Sequence, residues 1–420
     1  MKIKISKSQA MGVVEIIASK SYVHRALIAA ALANSKSIIT NVDLNDDIIR
    51  TLEGLNVLGA NITYDDRKLM VTPIIVDKQK KIVINAHESG STLRFLIPLA
   101  TYLYDEVIFI ASKDLLARPL DVYLDLYGKD KFTYLDENTL LVKGFPKQSE
   151  YHILGNISSQ FITGLLFTLS LMEFDSKIVL TSELASKPYV DMTLAIMEEF
   201  GLEVKLANNQ YLVSANQTYI GKALMAEGDF SQAAFFTVLG IINNDLKIKN
   251  LNFNSMQGDK QIFPILEALG AKFTYDDNSV SVYKTTIKGG LVDLNDIPDL
   301  GPILFVLALF ATSETRFINI ERLRIKESDR VGAMETELKK FGAKILVMDN
   351  EMIVYPLAKF NYVASVDSHN DHRIAMALSI LATCLEYDLV IENAEAVNKS
   401  FPSFFTELSK LNIKVSEDTR

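Results

Sequence analysis

Cysteine occurs once in the 420 residues, as Cys384. One thiol excludes an intramolecular disulfide and a cysteine-rich zinc site, and fits a reducing compartment. The chain also lacks any run of about 18 apolar residues that could span a bilayer; the nearest, Ile303 to Ala311, has only the length of a core helix. No charged-then-apolar leader opens the chain, so a cytoplasmic location is expected. Positive charge is not in excess. The net charge of −9 argues against nucleic acid as the main partner, yet leaves a small anion admissible wherever Lys and Arg cluster in one cleft. The five histidines follow no metal-ligand spacing, so no metal site is expected. What is present is a core-forming composition, 49% apolar and 23% charged. The length exceeds what one hydrophobic core supports and implies two domains.

The most informative positive signal is periodic. Apolar, small-residue-rich helices start at Ser21, Ser91, Ser159, Ser231, Asp299 and Asp371, at successive distances of 70, 68, 72, 68 and 72 residues. A second helix in each unit ends at Gly59, Gly128, Gly201, Gly270, Gly342 and, in the shortened last unit, Asn412. Gly and Asn are the residues that cap a helix in a left-handed conformation. Alternating segments broken by Asp, Asn or Glu turns follow and read as hairpins. Between the two helices sits a β-branched run such as SIITNV or VIFIA. Each unit therefore reads strand, helix, strand, helix, strand, strand. Solenoid repeats usually run about 20–50 residues. For units this long and mixed, three to a domain, with helices inside and sheets outside, is the more economical packing.

Cations stand where the helix dipole disfavours them. Lys20 and Arg25 flank the first helix start, and Arg118 precedes Pro119, a favourable first-turn residue. Lys187 precedes Pro188, Lys326 and Arg330 bracket a start, His372 and Arg373 open another, and Lys399 precedes SFP. One such residue reads as a solvated loop cation. Their recurrence at one phase of a repeat reads as a multi-anion site built from helix N-termini, Arg and Lys. Ser21, Ser91, Ser158, Ser159, Gln160 and Ser186 are expected to serve partly as helix caps. Gly90, between two serines, fits either a simple turn or a close backbone approach to a phosphate. Asp299 and Glu327 read as a cap and a first-turn acid, or as acid–base groups whose carboxyls are raised by burial beside bound anions. Cys384 reads as a packed thiol, and no Ser-His-Asp arrangement is present.

The segments SKSYVHR, ESGSTLR, ARPLD, SSQF, SKPYVDMT, IPD, RIKESDR, NDHR and NKSFP, in that order over nearly the whole chain, resemble the 5-enolpyruvylshikimate-3-phosphate synthase family. The resemblance implies an α/β fold: a two-domain inside-out α/β barrel of six βαβαββ repeats, three per domain, as in enolpyruvyl transferases. It implies a discontinuous domain at 1–15 and 228–420 and an inserted domain at 16–227. Chain crossings are placed near Val14 to Ser19 and near Ala226 to Asp229. The active site is expected in the cleft between the domains, which close to exclude water. The implied reaction transfers the enolpyruvyl group of phosphoenolpyruvate to the 5-hydroxyl of shikimate 3-phosphate and releases phosphate, in the shikimate pathway, by a monomer without metal or cofactor.

As phosphoenolpyruvate contacts the resemblance implies Lys20, Gly90, Arg118, Gln160, Arg330, Arg373 and Lys399. As shikimate-3-phosphate contacts it implies Ser21, Arg25, Ser158, Ser159, Gln160, Ser186, Asp299 and Lys326, joined by Tyr189. Asp299 would take the proton of the 5-hydroxyl, Glu327 would handle the methylene proton, and Lys20 would act as acid or electrostatic partner. His372 falls where the family has a site histidine. Two positions depart from the pattern. Glu88-Ser89-Gly90-Ser91 replaces an Asn-Ala-Gly opening, so Glu88 must point away from an anion or pair with a cation. Arg322 stands where many relatives carry an Asn that helps bind the shikimate moiety. Gly90 is kept, which implies a site able to admit glyphosate.

Three rivals are weaker. A UDP-N-acetylglucosamine enolpyruvyl transferase typically has Lys-Asn in place of Lys20-Ser21 and a Cys in the loop before Arg-Pro, which ASKDLLARP lacks. An RNA 3′-terminal phosphate cyclase is disfavoured by the acidic charge. A non-enzymatic anion-binding repeat scaffold would not call for Asp299 and Glu327 beside five cations.

Overall fold

The structure is a computed structural model and describes residues 1–418. The apolar periodic stretches form helices buried on nearly every side, among them Phe230–Ile242, Gly301–Ala308 and His372–Ala382. A helix that is apolar all round has no stable place except a core. Lys20–Ala31, Gly90–Leu103 and Ser159–Leu169 are the equivalent helices of the first three repeats. The second helices are Asp46–Val57, Asp121–Tyr127, Lys187–Glu199, Ile262–Ala268, Arg330–Lys340 and Phe404–Lys410. The residues expected to end them all have positive φ, from 68° at Asn412 to 112° at Gly59.

Among the described residues the strands form six four-stranded sheets. Ile82–His87 alternates buried and exposed along its length, so one face packs on helices and the other meets solvent. It runs parallel to Glu106–Ala111, which pairs antiparallel with Thr139–Lys143, which in turn pairs with Phe132–Asp136. The helix Gly90–Leu103 is the crossover that a parallel pair requires.

Three repeats are not self-contained, contrary to the strand-first reading of each unit. Val13–Glu15 runs parallel to Leu246–Lys249 in the sheet of the fourth repeat, while Ala223–Met225 runs parallel to Ser37–Thr40 in the sheet of the first. The sixth repeat has a single strand, Lys414–Glu417, in place of a hairpin. Ile3–Ser6 lies between it and Leu389–Glu392, antiparallel to both, and so satisfies ladder groups that would otherwise be left as open edges.

The chain divides into two compact units, Met1–Ile17 with Glu227–Arg420, and Ala18–Ala226. Each has its own core, around Phe230, Phe236, Phe305 and Phe404 in the first and Leu27, Phe95, Tyr123 and Phe161 in the second. Among the described residues no helix is long and apolar enough to cross a membrane.

Candidate active site

In the unit Ala18–Ala226, neutral serines cap the three buried helices. Ser19, Ser89 and Ser158 accept from the backbone N–H of Tyr22, Thr92 and Gln160 at 3.4, 3.3 and 3.3 Å. No acid stands in the first turn of any of the three, so their positive dipole ends keep no negative side chain. Capping falls on Ser19 and Ser89 rather than on Ser21 and Ser91, which lie inside their helices, as does Ser159. Ser186 occupies the N-cap of Lys187–Glu199 without a side-chain cap bond, at φ 55° and ψ 43°. Left-handed backbone in a non-glycine residue gathers at ligand-binding positions.

Arg25 is 2% exposed and its partners are neutral. Its Nε donates to Thr193 Oγ1 at 2.8 Å, Nη1 to the Ser21 carbonyl at 2.8 Å and Nη2 to the Tyr189 carbonyl at 2.9 Å. The guanidinium lies 5.3 Å from the Phe95 ring centre and 6.0 Å from that of Tyr189. Burial lowers its pKa to about 10. A buried cation among neutral groups is an incomplete arrangement that an anion completes.

A second cluster surrounds Gly90. Arg94 Nη1 donates to Gln160 Oε1 at 2.7 Å, and Gln160 Nε2 donates to Ser91 Oγ at 3.0 Å. A Cβ added at Gly90 would lie 3.3 Å from Arg94 Nη1 and 3.7 Å from both Arg118 Nη1 and Gln160 Oε1. The two helices involved approach closely at Gly164, where a Cβ would come within 2.5 Å of the Arg94 carbonyl oxygen. Lys20 pairs with the buried Asp47 at 2.9 Å. Arg118 and Pro119 precede the helix Asp121–Tyr127 rather than opening it. Lys187 is exposed and bonded to Asp191 on its own helix, the ordinary reading of a surface lysine. Glu88 lies within electrostatic reach of Asp46 at the start of the neighbouring helix.

The other unit holds the acids. Asp299 sits in the turn Pro298–Leu300 that leads into Gly301–Ala308. It accepts from Arg330 Nη1 at 2.8 Å and Arg373 Nη2 at 2.9 Å, with Lys326 Nζ at 3.7 Å. Arg330, 1% exposed, also donates to Glu327 at 2.8 Å and to Asp371 from Nε at 2.8 Å. Asp371, fully buried, caps the helix His372–Ala382 through the Arg373 N–H at 2.9 Å. His372 is buried with Nδ1 3.8 Å from Asp371 Oδ1. Lys399 is buried at the end of the turn Ala394–Lys399, which packs on that helix. Arg322 donates to the Asn295 carbonyl at 3.2 Å.

Burial pushes the Asp299 carboxyl upward, but Arg373, Lys326 and Arg330 outweigh it and hold the group well below the usual range. The upward shift that burial alone would give is therefore reversed by these three cations. Burial lowers Lys326 to about 8, against the pull of Asp299.

Sequence reasoning missed Arg94, Asp47, Asp371 as a partner of Arg330, and the hydroxyls of Thr163 and Thr193, which share a 2.8 Å bond beside Arg25. Arg94 and Thr163 follow helix starts by one turn and carried a signal. Asp47 did not, since an acid in a first turn is already explained by the dipole.

A family model described as EPSP synthase (3-phosphoshikimate 1-carboxyvinyltransferase) matches residues 5–408. A 3-phosphoshikimate 1-carboxyvinyltransferase of Clostridium perfringens is 41% identical over 417 residues, 98% of each chain. One of Clostridioides difficile is 38% identical over 99% of this chain and 98% of its own. Among solved structures, EPSP synthase of Acinetobacter baumannii superposes with a TM-score of 0.80 at 21% identity, covering 99% of this chain and 100% of its own. The enolpyruvyl transferase NikO of Streptomyces tendae gives 0.82 at 15% identity over 100% and 99%; at such identities these two speak for the fold alone. The family match runs through the helix starts that carry Lys20, Gly90, Asp299 and Arg373, and with this match and the identities above, the chain belongs to the EPSP synthase family.

Proposed function

We propose that the chain transfers the enolpyruvyl group of phosphoenolpyruvate to the 5-hydroxyl of shikimate 3-phosphate, with residues of both units serving one reaction. The observation that carries this reading is a pair of carboxylates on one arginine: Asp299 is paired with Lys326, Arg330 and Arg373, and Glu327 with the same Arg330. Such a set serves both to hold an anionic substrate and to move a proton.

In this reading Arg25, Ser21, Ser158, Ser159, Ser186, Tyr189 and Lys326 take shikimate 3-phosphate. Lys20, Gly90, Arg118, Gln160, Arg330, Arg373 and Lys399 take phosphoenolpyruvate, with Arg94 orienting Gln160. Held ionised by its cations, Asp299 is ready to accept a proton but is a weak base. When the carboxylate and phosphate of phosphoenolpyruvate draw on Arg330 and Arg373, less positive charge acts on Asp299 and its basicity rises. Asp299 then takes the 5-hydroxyl proton as oxygen bonds to C2, while C3 gains a proton with Lys20 or Glu327 as the donor. The tetrahedral intermediate loses phosphate, and loss of a C3 proton to Glu327 restores the enol ether. Fixed cations supply the electrostatic stabilisation, so the scheme requires no metal or organic cofactor. A cytoplasmic monomer is the proposed state, to be checked by light scattering.

The direct test is phosphate release from phosphoenolpyruvate with shikimate 3-phosphate, with UDP-N-acetylglucosamine as the alternative acceptor and Asp299→Ala as control. Turnover with shikimate 3-phosphate, lost in the variant, is expected. Turnover only with the sugar nucleotide would move the chain to the other transferase branch. Silence with both, from folded protein, would reject an enzymatic role.

A further inference from the structure

In the unit that holds Asp299, the scheme above leaves the buried carboxylate of Asp259 without a role. Asp259, 2% exposed, sits in the turn Gly258–Gln261. Its Oδ2 accepts from the Ser231 hydroxyl, and its Oδ1 has no hydrogen-bond partner among the described residues. The amide of Gln232, next to Ser231 in sequence, is fully buried with neither its oxygen nor its nitrogen bonded among the described residues. Arg373, 3% exposed, donates through Nη2 to Asp299, while Nε and Nη1 are buried without partners among the described residues. Buried polar atoms left unpaired are costly, so these mark places completed by water or ligand atoms.

The charges acting on Asp259 are Asp299, Arg373 on the helix His372–Ala382, and Asp229 at the N-cap of Phe230–Ile242. Lys260, next in sequence, is turned to the Phe253 and Ser255 carbonyls at 2.9 and 2.8 Å. Arg373 is thus one cation within the influence of three carboxylates, Asp299, Asp259 and Asp229, with donors to spare.

We propose that Asp259 is a positioning residue that makes anion binding proton-linked: as a carboxylate it balances Arg373 while the site is empty, and it takes up a proton when an anion occupies Arg373. This rests on the reading that Arg373 holds phosphoenolpyruvate. An anion on Nε and Nη1 cancels the charge that keeps Asp259 ionised, and a proton from solvent replaces it; no other bond changes. Burial, then the charge of Asp299, already lifts the Asp259 carboxyl to about 7, against Arg373 and the Ser231 hydroxyl, so the uptake falls near neutral pH.

Sulfate, whose charge is constant across this range, is the probe: its inhibition constant against phosphoenolpyruvate is measured from pH 6 to 8 with shikimate 3-phosphate present. In the unaltered protein the constant rises with pH, and in Asp259→Asn the rise is smaller by about fivefold, the low end of coupling between two sites. Ser231→Ala removes a donor that favours the ionised form, so it moves the step to higher pH, and it keeps the test decisive where Asp259→Asn fails to fold. Parallel profiles in all three proteins overturn the proposal. Arg373→Gln separates the premise: if sulfate and phosphoenolpyruvate bind that variant as well as they bind the unaltered protein, it is the reading of Arg373 that fails.

Discussion

Asp371→Asn tests whether the buried ion network holds its unit together. Asp371 is fully buried and accepts from Arg330 Nε at 2.8 Å, Arg330 Nη2 at 3.4 Å, Ser328 Oγ at 3.1 Å and the Arg373 N–H at 2.9 Å. Asparagine keeps an oxygen for the helix cap, so the change isolates the charge. It removes one of three carboxylates around an arginine that is 1% exposed, and it sets an NH₂ against guanidinium donors. Breaking a buried pair costs about 3–5 kcal/mol, and since Asp299 and Glu327 remain, about 3 kcal/mol is expected here. For a unit of roughly 200 residues, each kcal/mol moves the midpoint about 2–4 °C, so its thermal transition should fall by about 6–12 °C. Because the chain has two units, the transition itself is read rather than a global free energy. Combining the change with Arg330→Gln should give a coupling energy above about 1 kcal/mol. A transition within about 2 °C of the unaltered protein, or additive single changes, would refute the claim that this network is integral to the unit.

Gly90→Ala places a Cβ 3.3 Å from Arg94 Nη1; the KM for phosphoenolpyruvate should rise about tenfold, equivalent to about 1.4 kcal/mol, with the melting point little changed. Arg25→Lys keeps the charge but loses the fork that reaches Thr193, Ser21 and Tyr189, so steady-state kinetics should show an increase of about tenfold or more in the KM for shikimate 3-phosphate. Lys326 is a cation below about 8 and neutral above it, so that same KM should climb as pH rises through 8, and Lys326→Arg should flatten the climb. Burial lowers His24 to about 3 from 6.5. The unfolded chain therefore binds the proton first as pH falls, and stability is full above 6.5 and lost from there towards 3. At pH 5 this amounts to about 2 kcal/mol, and urea denaturation of His24→Gln, in which Gln can still bond Thr51, should show that much less acid sensitivity.

The repeat was legible because burial forces a periodic choice of residue. Six buried helices need small and apolar residues at one phase, and the glycines that end their partners need positive φ; both leave marks that survive divergence between repeats. What could not be read was the exchange of strands. Val13–Glu15 and Ala223–Met225 have the same sequence character whichever sheet they join, and nothing in the residues of Ile3–Ser6 announces that it completes the sixth sheet. In the site, the cations were legible because they contradict the helix dipole. Asp47 and Asp371 were not, since each stands where an acid needs no further reason. The charge balance at Asp299 was not legible either: burial can be weighed from the sequence, but three cations brought from separate segments outweigh it, and that balance exists only once the chain is folded.

The helix caps separate the two units chemically, and the difference bears on which substrate each would hold. In Ala18–Ala226 the buried helices begin at Ser19, Ser89 and Ser158, neutral caps with no first-turn acid. In the other unit, Asp229 and Asp371 cap the equivalent helices, and Asp299 stands in the turn before the third. A serine cap satisfies an N–H group and leaves the partial positive charge; an aspartate cap satisfies both. The serine-capped unit therefore keeps three helix starts without an acidic cap or first-turn acid, and Arg25, whose hydrogen-bond partners are neutral, is balanced by an added anion. The aspartate-capped unit is balanced within itself, its Arg330 and Arg373 tied to carboxylates that an incoming anion must displace. An anion should on this account bind at Arg25 without displacing a carboxylate, although Lys20 of the same unit is paired with Asp47, while binding to the other unit redistributes charge onto Asp299. Replacing Ser89 by Asp should therefore weaken shikimate 3-phosphate or phosphoenolpyruvate in equilibrium binding while preserving the helix cap. Undiminished affinity for both would show that the dipole ends take no part.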